Sequence, residues 1–290
     1  MTGPVAAVLS GGRLHLQHGP IDLILGAEGA VARRRAFAAA TARFETVLEE
    51  LVAELPLLRR PVTAGSERPR GVVARRMDTA VRPHAAAGFV TPMAAVAGAV
   101  ADEVLQAMTA AAPLARAYVN NGGDIALHLA PGQRFCAQIA GLDGGELGWV
   151  TLAHGAGIGG IASSGRGGRS LSFGIADSVT VLARDAAAAD VAATLIANAV
   201  TLGDHAQIRR QPACALDPDS DLGERAVVVA VGALRQDEID QALEAGRAVA
   251  QRMLRAGRIA GAALVLRGAA RVVGAPLSVP EIPKQGVEHA

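Results

Sequence analysis

Strand patterns that follow one another with only short turns between them occupy the middle of the chain. They are Ala115–Asn120, Asp124–Leu129, Arg134–Ala140 and Gly148–Ala153. Turns this short leave no room for crossover helices, whereas helical patterns precede and follow the region. The sequence therefore predicts an α+β fold, with mixed sheets and packed helices, rather than a doubly wound parallel sheet.

The flanking patterns extend this prediction. Alternating apolar and polar residues on both sides of His18-Gly19-Pro20 indicate a hairpin. Helices are predicted over Glu28–Leu55, Pro92–Ala111, Ala186–Leu202 and Asp237–Ala256, with Asp237 as an N-cap. Further strands are predicted at Ile158–Ser163, Ser178–Ala183, Ala226–Val231 and Ile259–Leu266. We expect one domain over residues 1–275, with two lobes and a cleft between them, and a loose tail over residues 276–290.

Composition and charge narrow the classes of partner. The net charge is +1 and aromatic residues make up 2% of the chain, which argues against a nucleic-acid or anionic-membrane partner. We find no export signal, and the longest uncharged run, Ala85–Ala101, is expected to be a buried core helix. Cys136 and Cys214 fit no metal spacing. We therefore expect a cytoplasmic protein with reduced thiols.

Two short motifs carry most of the functional information. Tyr118–Asp124 has the pattern of a strand that runs into a Gly-Gly turn, where backbone amides can approach a phosphate. Asp190 and Thr194 are four residues apart in a predicted helix, so they share one face. A carboxylate and a hydroxyl in that arrangement can bind one hard cation. Together the motifs suggest a metal-assisted nucleotide site without naming a reaction.

Other motifs are weaker. The glycine-rich stretch Gly155–Gly160 lacks the Lys-Ser/Thr end of a P-loop. Asp217, Asp219 and Asp221 alternate as in a calcium loop, but glycine comes one place late and valine stands at position twelve, so a turn is favoured. His154 is the best histidine candidate for acid–base chemistry, although a structural role is favoured.

Three segments resemble, in order, the motifs of the ApbE family of flavin transferases. Val119–Ile125 is similar to Val-Asn-x-Gly-Gly-Asp-Ile, and Ile161–Gly165 to the segment around Ala-Thr-Ser-Gly. Ser178–Ala183 and Ala189–Thr194 resemble a Val-Thr-Val strand and an Ala-Asp-Ala-x-x-Thr helix. The resemblance covers about Ala94–Gly203, a little over a third of the chain. It identifies the chain as a member of a soluble branch related to ApbE.

This resemblance implies a set of ligands. In the family, Mg²⁺ is held by the helix Asp and Thr and by a backbone carbonyl, which implies Asp190, Thr194 and Ala162 here. The family binds FAD and passes FMN to a protein Thr or Ser, so nucleotidyl transfer or pyrophosphate cleavage is implied. The implied flavin-binding residues are Asn120, Asn121, Gly122, Gly123, Asp124, Ser163, Ser164 and Gly165.

The chain also departs from the family pattern. Ala97-Gly98 stands where the family has Lys-Gly, and Arg166–Ala176 lacks the family's His-x-x-Asp-Pro-x-x-Gly stretch. The early Met-Gly-Thr signature is absent as well. We therefore expect nucleotide binding with Mg²⁺, weak or no covalent flavin transfer, and no assignable catalytic residue.

Structural interpretations of the same residues remain open. Asn120–Asp124 is typical of a β-turn, Asp190 of a helix cap, and Thr194 of a hydroxyl bonded to its own helix. The loop Ser163–Arg169 is equally typical of a surface loop and of an anion site. Three hypotheses follow: a flavin-transferase-like enzyme, a non-catalytic nucleotide binder, and a partner-binding protein. We expect a small-molecule nucleotide as the ligand and leave a homodimer open.

Overall fold

The computed structural model describes residues 3–140, 146–168, 170–274 and 277–278. The helices are α1 (Ala30–Phe44), α2 (Val47–Ala53), α3 (Leu55–Leu58), α4 (Val72–Val81), α5 (Val96–Ala111), α6 (Ala186–Ala199) and α7 (Gln236–Arg255). The strands are β1 (Val5–Leu9), β2 (Arg13–His18), β3 (Ile21–Ala27), β4 (Arg116–Asn121), β5 (Asp124–Leu129), β6 (Arg134–Ala140), β7 (Glu146–Ala153), β8 (Gly160–Ser164), β9 (Ser178–Ala183), β10 (Ile208–Pro212), β11 (Ala226–Val231), β12 (Gly261–Leu266), β13 (Ala269–Gly274) and β14 (Leu277–Ser278).

An antiparallel sheet of nine strands forms the centre of the fold, in the order β1-β2-β3-β4-β5-β8-β9-β12-β13. Two small sheets, β10-β11 and β14-β7-β6, accompany it. The predicted hairpin around Gly19 is confirmed, with His18 paired to Ile21. Because helices pack on antiparallel sheets and no βαβ alternation organises the described strands, the predicted α+β class is confirmed.

Small residues let α5 and α6 pack closely together against the sheet. The inner face of α6 is largely alanine, including Ala189, Ala192 and Ala193, all of which are buried. At Gly98 of α5, an added Cβ would lie 2.3 Å from the carbonyl oxygen of Ala186. A side chain at Gly98 would therefore separate the two helices. The alanine and glycine content of the chain supports this close contact.

Several sequence predictions about individual elements are wrong. The single helix predicted over Glu28–Leu55 is divided into α1, α2 and α3. Arg43 donates to Thr46, Glu50 and Glu103, and these contacts favour a bend after α1. Pro56 lies in the first turn of α3, where a missing N–H costs little, and so does not end the helix.

Other element boundaries also differ. The N-cap of α7 is Arg235 rather than Asp237, and the Glu238 carboxylate accepts its backbone N–H at 2.8 Å. The uncharged run Ala85–Ala101 is not one helix, because a 3-10 helix at Pro92–Ala95 precedes α5. The elements α4, β1, β10 and β13 were not predicted. Of the predicted tail, residue 276 and residues 279–290 lie outside the described residues, and Leu277–Ser278 form β14.

The helices are short or polar relative to a membrane span. Among the described residues, no single helix is long and apolar enough to cross a bilayer. One pair of helical segments, Val72–Ala87 and Pro92–Ala111, together has the length and composition of a span, but the two are bent by 120° relative to each other.

Candidate functional site

The Gly-Gly motif forms the two-residue turn between β4 and β5. Gly122 and Gly123 have φ angles of 65° and 113°, which residues with a side chain rarely adopt. The Asn120 Oδ1 accepts the Gly123 N–H at 2.8 Å, and the Asn121 Nδ2 donates to the Ala97 carbonyl at 3.1 Å. The Asn120 side chain therefore holds the turn, and the Asn121 side chain connects the end of β4 to the beginning of α5.

The Ser-Gly motif lies beside this turn. Strands β5 and β8 are antiparallel, and Ile125 pairs with Ile161. Asp124, one residue before Ile125, therefore lies beside Ala162 and Ser163, which follow Ile161. The Asp124 Oδ1 accepts the Ser163 backbone N–H at 3.3 Å. The Ser163 hydroxyl lies 2.9 Å from that of Thr180 on β9. The two motifs that are separate in sequence are thus brought together at one end of neighbouring strands.

Asp190 caps a helix other than its own. Its Oδ2 accepts the Gly98 N–H at 3.0 Å, in the first turn of α5. In return, Asp102 of α5 accepts the N–H groups of Ala186 and Ala187 at 3.0 and 2.9 Å, in the first turn of α6. Each helix therefore begins at a carboxylate of the other. The partial positive charge of a helix N-terminus stabilises both carboxylates.

The charge state of Asp190 depends on its surroundings. Burial raises the pKa of Asp190 well above its usual value, and the negative charge of Asp124 raises it further. The N–H groups of Gly98 and Ala97 act in the opposite direction. A cation placed next to both carboxylates would offset the two main causes of this rise. The pair Asp124 and Asp190 therefore has the electrostatics of a cation site.

The other two predicted metal ligands would also supply oxygen atoms. Thr194 lies one turn after Asp190 on α6, and Ala162 is a fully buried residue of β8. Mg²⁺ prefers carboxylate, hydroxyl and carbonyl oxygens and keeps several waters or phosphate oxygens. No group of three His, Cys, Asp or Glu residues in the described part of the chain could hold a metal ion by itself. The donor set fits Mg²⁺ shared with a phosphate, rather than a cage made only of protein ligands.

A cavity of about 330 Å³ opens beside these residues. Asp124, Asp190 and Thr194 line it, together with Asn198, which continues the same face of α6 one turn further. Asn198 was not singled out from the sequence, although its i+4 spacing from Thr194 was a usable signal. Its Oδ1 accepts the Phe173 backbone N–H at 2.9 Å, so Asn198 also positions the cavity wall.

An acidic segment forms another wall of the cavity. Asp217, Asp219 and Asp221, from the segment between β10 and β11, line it. The Asp219 N–H donates to the Asp217 Oδ1 at 3.0 Å, in agreement with the predicted turn. Thr91 donates to Asp221, and an Arg59 nitrogen lies 3.8 Å from an Asp219 oxygen. With Asp124 and Asp190, five aspartates face this cavity.

The other residues predicted to bind metal or flavin are described by the structure but do not line the cavity. These are Asn120, Asn121, Gly122, Gly123, Ala162, Ser163, Ser164 and Gly165. Arg169 lies outside the described residues. His154 is exposed and its Nδ1 lies 2.6 Å from the Leu129 carbonyl oxygen, away from this cavity. Asp124, Asp190 and Thr194 are the predicted residues that meet at the cavity.

Comparison with family models identifies the family to which the chain belongs. The chain belongs to the family described as AbpE bacteria, whose model matches residues 6–272. The family membership confirms the resemblance that the three motifs indicated.

Two individual relatives each match about half of this chain. A UPF0280 protein of Methanothrix thermoacetophila is 44% identical over 126 residues, which are 41% of this chain and 50% of the relative. A UPF0280 protein of Methanopyrus kandleri is 37% identical over 169 residues, 54% and 61% of the two chains. The chain thus spans about half the length of the first of these relatives and somewhat more of the second.

Two solved structures are also similar. The apo flavinyl transferase ApbE of Pseudomonas stutzeri has 14% identity and a TM-score of 0.37, with 86% of this chain and 74% of that chain covered. The flavin transferase ApbE of Vibrio cholerae has 14% identity and a TM-score of 0.36, with 93% and 96% covered.

Proposed function

We propose that this chain binds a flavin nucleotide, FAD, together with Mg²⁺ in the cavity beside Asp124 and Asp190. The observation that carries the proposal is the meeting of two carboxylates and the Thr194 hydroxyl at one cavity. Membership of the AbpE bacteria family and the motif resemblance to flavin transferases support the choice of a flavin. The five aspartates at the cavity also favour a bound cation, because a cation would reduce their repulsion of a phosphate.

The residues have separate roles in this proposal. Asp190 and Thr194, with the Ala162 carbonyl, would hold Mg²⁺, which when bound neutralises pyrophosphate charge and the charge that develops on a leaving group. The Gly98 N–H orients the Asp190 carboxylate, and the Ser163 N–H orients that of Asp124. The Gly122-Gly123 turn and the segment Ser163–Gly165 lie next to Asp124 without lining the cavity, so their proposed contacts are with the part of FAD that extends beyond it.

The residue at position 97 bears on the reaction at this site. FMN transfer or pyrophosphate cleavage fits a metal beside a pyrophosphate, but Ala97 stands in place of the family lysine. The only lysine in the sequence is Lys284, which lies outside the described residues. This substitution favours a second candidate function, a nucleotide binder without transfer activity.

A pair of matched variants tests the binding site. Asp190 and Asp102 are both helix-capping aspartates of the α5–α6 pair, but only Asp190 lines the candidate cavity. We expect Asp190→Asn to lose the Mg²⁺-dependent part of FAD binding, measured by isothermal titration with and without Mg²⁺. Asp102→Asn should retain it. The proposal is wrong if the wild-type chain binds no FAD with Mg²⁺, or if both variants bind it equally well.

A further inference from the structure

We propose that Phe89 and Phe173 form a stacking surface for the planar ring of the nucleotide. This inference rests on the proposed function and adds to it the position of the ring within the cavity. Both phenylalanines line the cavity that contains Asp124 and Asp190. Their side chains are half-buried, so part of each ring remains available to a ligand.

The two rings form a fixed pair. Their centroids are 6.4 Å apart and their planes are inclined by 68°, an edge-to-face arrangement. Such pairs are favourable contacts in their own right. The chain has only five phenylalanines, one tyrosine and one tryptophan, so two phenylalanines at one cavity are a notable concentration. A planar aromatic ligand is the chemistry that this wall suits best.

Neighbouring residues hold both phenylalanines in position. The Arg225 guanidinium carbon lies 3.5 Å from the centroid of the Phe89 ring and covers one of its faces. Asn198 accepts the backbone N–H of Phe173, and the Ser172 hydroxyl also donates to Asn198, at 3.1 Å. A wall that is ordered before the ligand arrives loses less entropy on binding.

Phe173 and Asp190 lie apart along the cavity wall that α6 forms. Asp190, Thr194 and Asn198 follow one another on one face of α6, and Phe173 is bonded to the last of them. From Asp190 to Asn198 the helix rises about 12 Å, at about 1.5 Å per residue. This separation leaves room for a sugar or ribityl chain between a phosphate at Asp190 and a ring at Phe173.

The cavity of about 330 Å³ is at the lower end of ligand pockets, so it suits one ring system of FAD rather than both.

The ring could be a flavin or an adenine, since both are planar heterocycles attached to a phosphate ester. Titrations of FMN and of ADP, each with Mg²⁺, distinguish the two sources. Phe89→Leu and Phe173→Leu keep apolar volume but remove the aromatic face. Phe37→Leu is the matched control, because Phe37 is also half-buried but lies on α1, away from the cavity.

We expect each cavity variant to weaken the binding of FAD, and of the mononucleotide that carries the stacked ring, about fivefold to tenfold. Binding of Mg²⁺-pyrophosphate, which has no ring, should not change. Phe37→Leu should bind like the wild type. If the wild type binds a flavin, its absorption band should shift on binding, and the Phe173→Leu spectrum should lose that shift.

The outcomes separate the two proposals. Wild-type FAD binding that needs Asp190 but is unaffected by both phenylalanine variants overturns the stacking surface and leaves the proposed function intact. An equal loss of pyrophosphate and FAD binding in those variants also overturns it, because the effect would then be structural. A wild-type chain that binds none of these nucleotides with Mg²⁺ overturns the proposed function and the stacking surface together.

Discussion

Replacement of Asp102 by asparagine should change how the stability of this chain depends on pH. Burial raises the pKa of the Asp102 carboxyl from 3.8 to about 6, against the two N–H groups of Ala187 and Ala186 that lower it. Asp185 adds to the rise and Arg76 opposes it. The folded chain therefore binds a proton at Asp102 more tightly than the unfolded chain does.

The sign and size of the effect follow from this difference. Because the folded-state pKa is the higher one, the stabilising contribution is fully present below about pH 4 and is lost as the pH rises through about 6. A shift of about two units corresponds to about 3 kcal/mol. Asparagine cannot ionise and resembles the protonated carboxyl in shape. We therefore expect the free energy of unfolding of Asp102→Asn to equal that of the wild type near about pH 4. Near about pH 7 it should be higher by up to about 3 kcal/mol.

Urea unfolding, followed by circular dichroism at several pH values, measures this difference. Subtracting one free energy of unfolding from the other cancels the contributions of the other titrating groups. This requires that the free energy of unfolding falls with urea concentration at the same slope in both chains. A difference that does not change between about pH 4 and about pH 7 would refute the reasoning. A difference that moves in favour of the wild type as the pH rises would show that the helix N–H groups outweigh burial.

Two further predictions concern helix packing and chemistry. Gly98→Ala should lower the free energy of unfolding by about 2 kcal/mol or more, because its Cβ would lie 2.3 Å from the Ala186 oxygen. The control Gly65→Ala, whose added Cβ meets nothing within 4 Å, should stay within about 0.5 kcal/mol in the same denaturation assay, and equal effects would contradict the packing argument. Incubation with FAD, Mg²⁺ and an acceptor domain carrying a Thr or Ser should add little or no FMN mass, because the family lysine is absent. Robust addition that Asp190→Ala abolishes would restore the transferase interpretation.

Local sequence patterns were sufficient wherever the cause of a structure is local. The hairpin around Gly19 and the turn at Gly122-Gly123 depend on glycine conformation and on alternation over a few residues. The face shared by Asp190 and Thr194 depends only on helical periodicity. The α+β class and the family resemblance follow from the order of such segments, so both could be predicted from the chain alone.

Only the tertiary structure decided which of these segments share a site. Gly98 and Asp190 are 92 residues apart, and no periodicity relates the start of α5 to a carboxylate on α6. Thr91 and Asp221 are 130 residues apart, so the acidic wall of the cavity could not be predicted from either segment. The bend between α1 and α2 likewise involves Arg43 and Glu103, which are 60 residues apart. Side chains that meet through folding have no fixed spacing in the sequence, and for that physical reason the cavity, its charge and its phenylalanine pair became visible only in the folded chain.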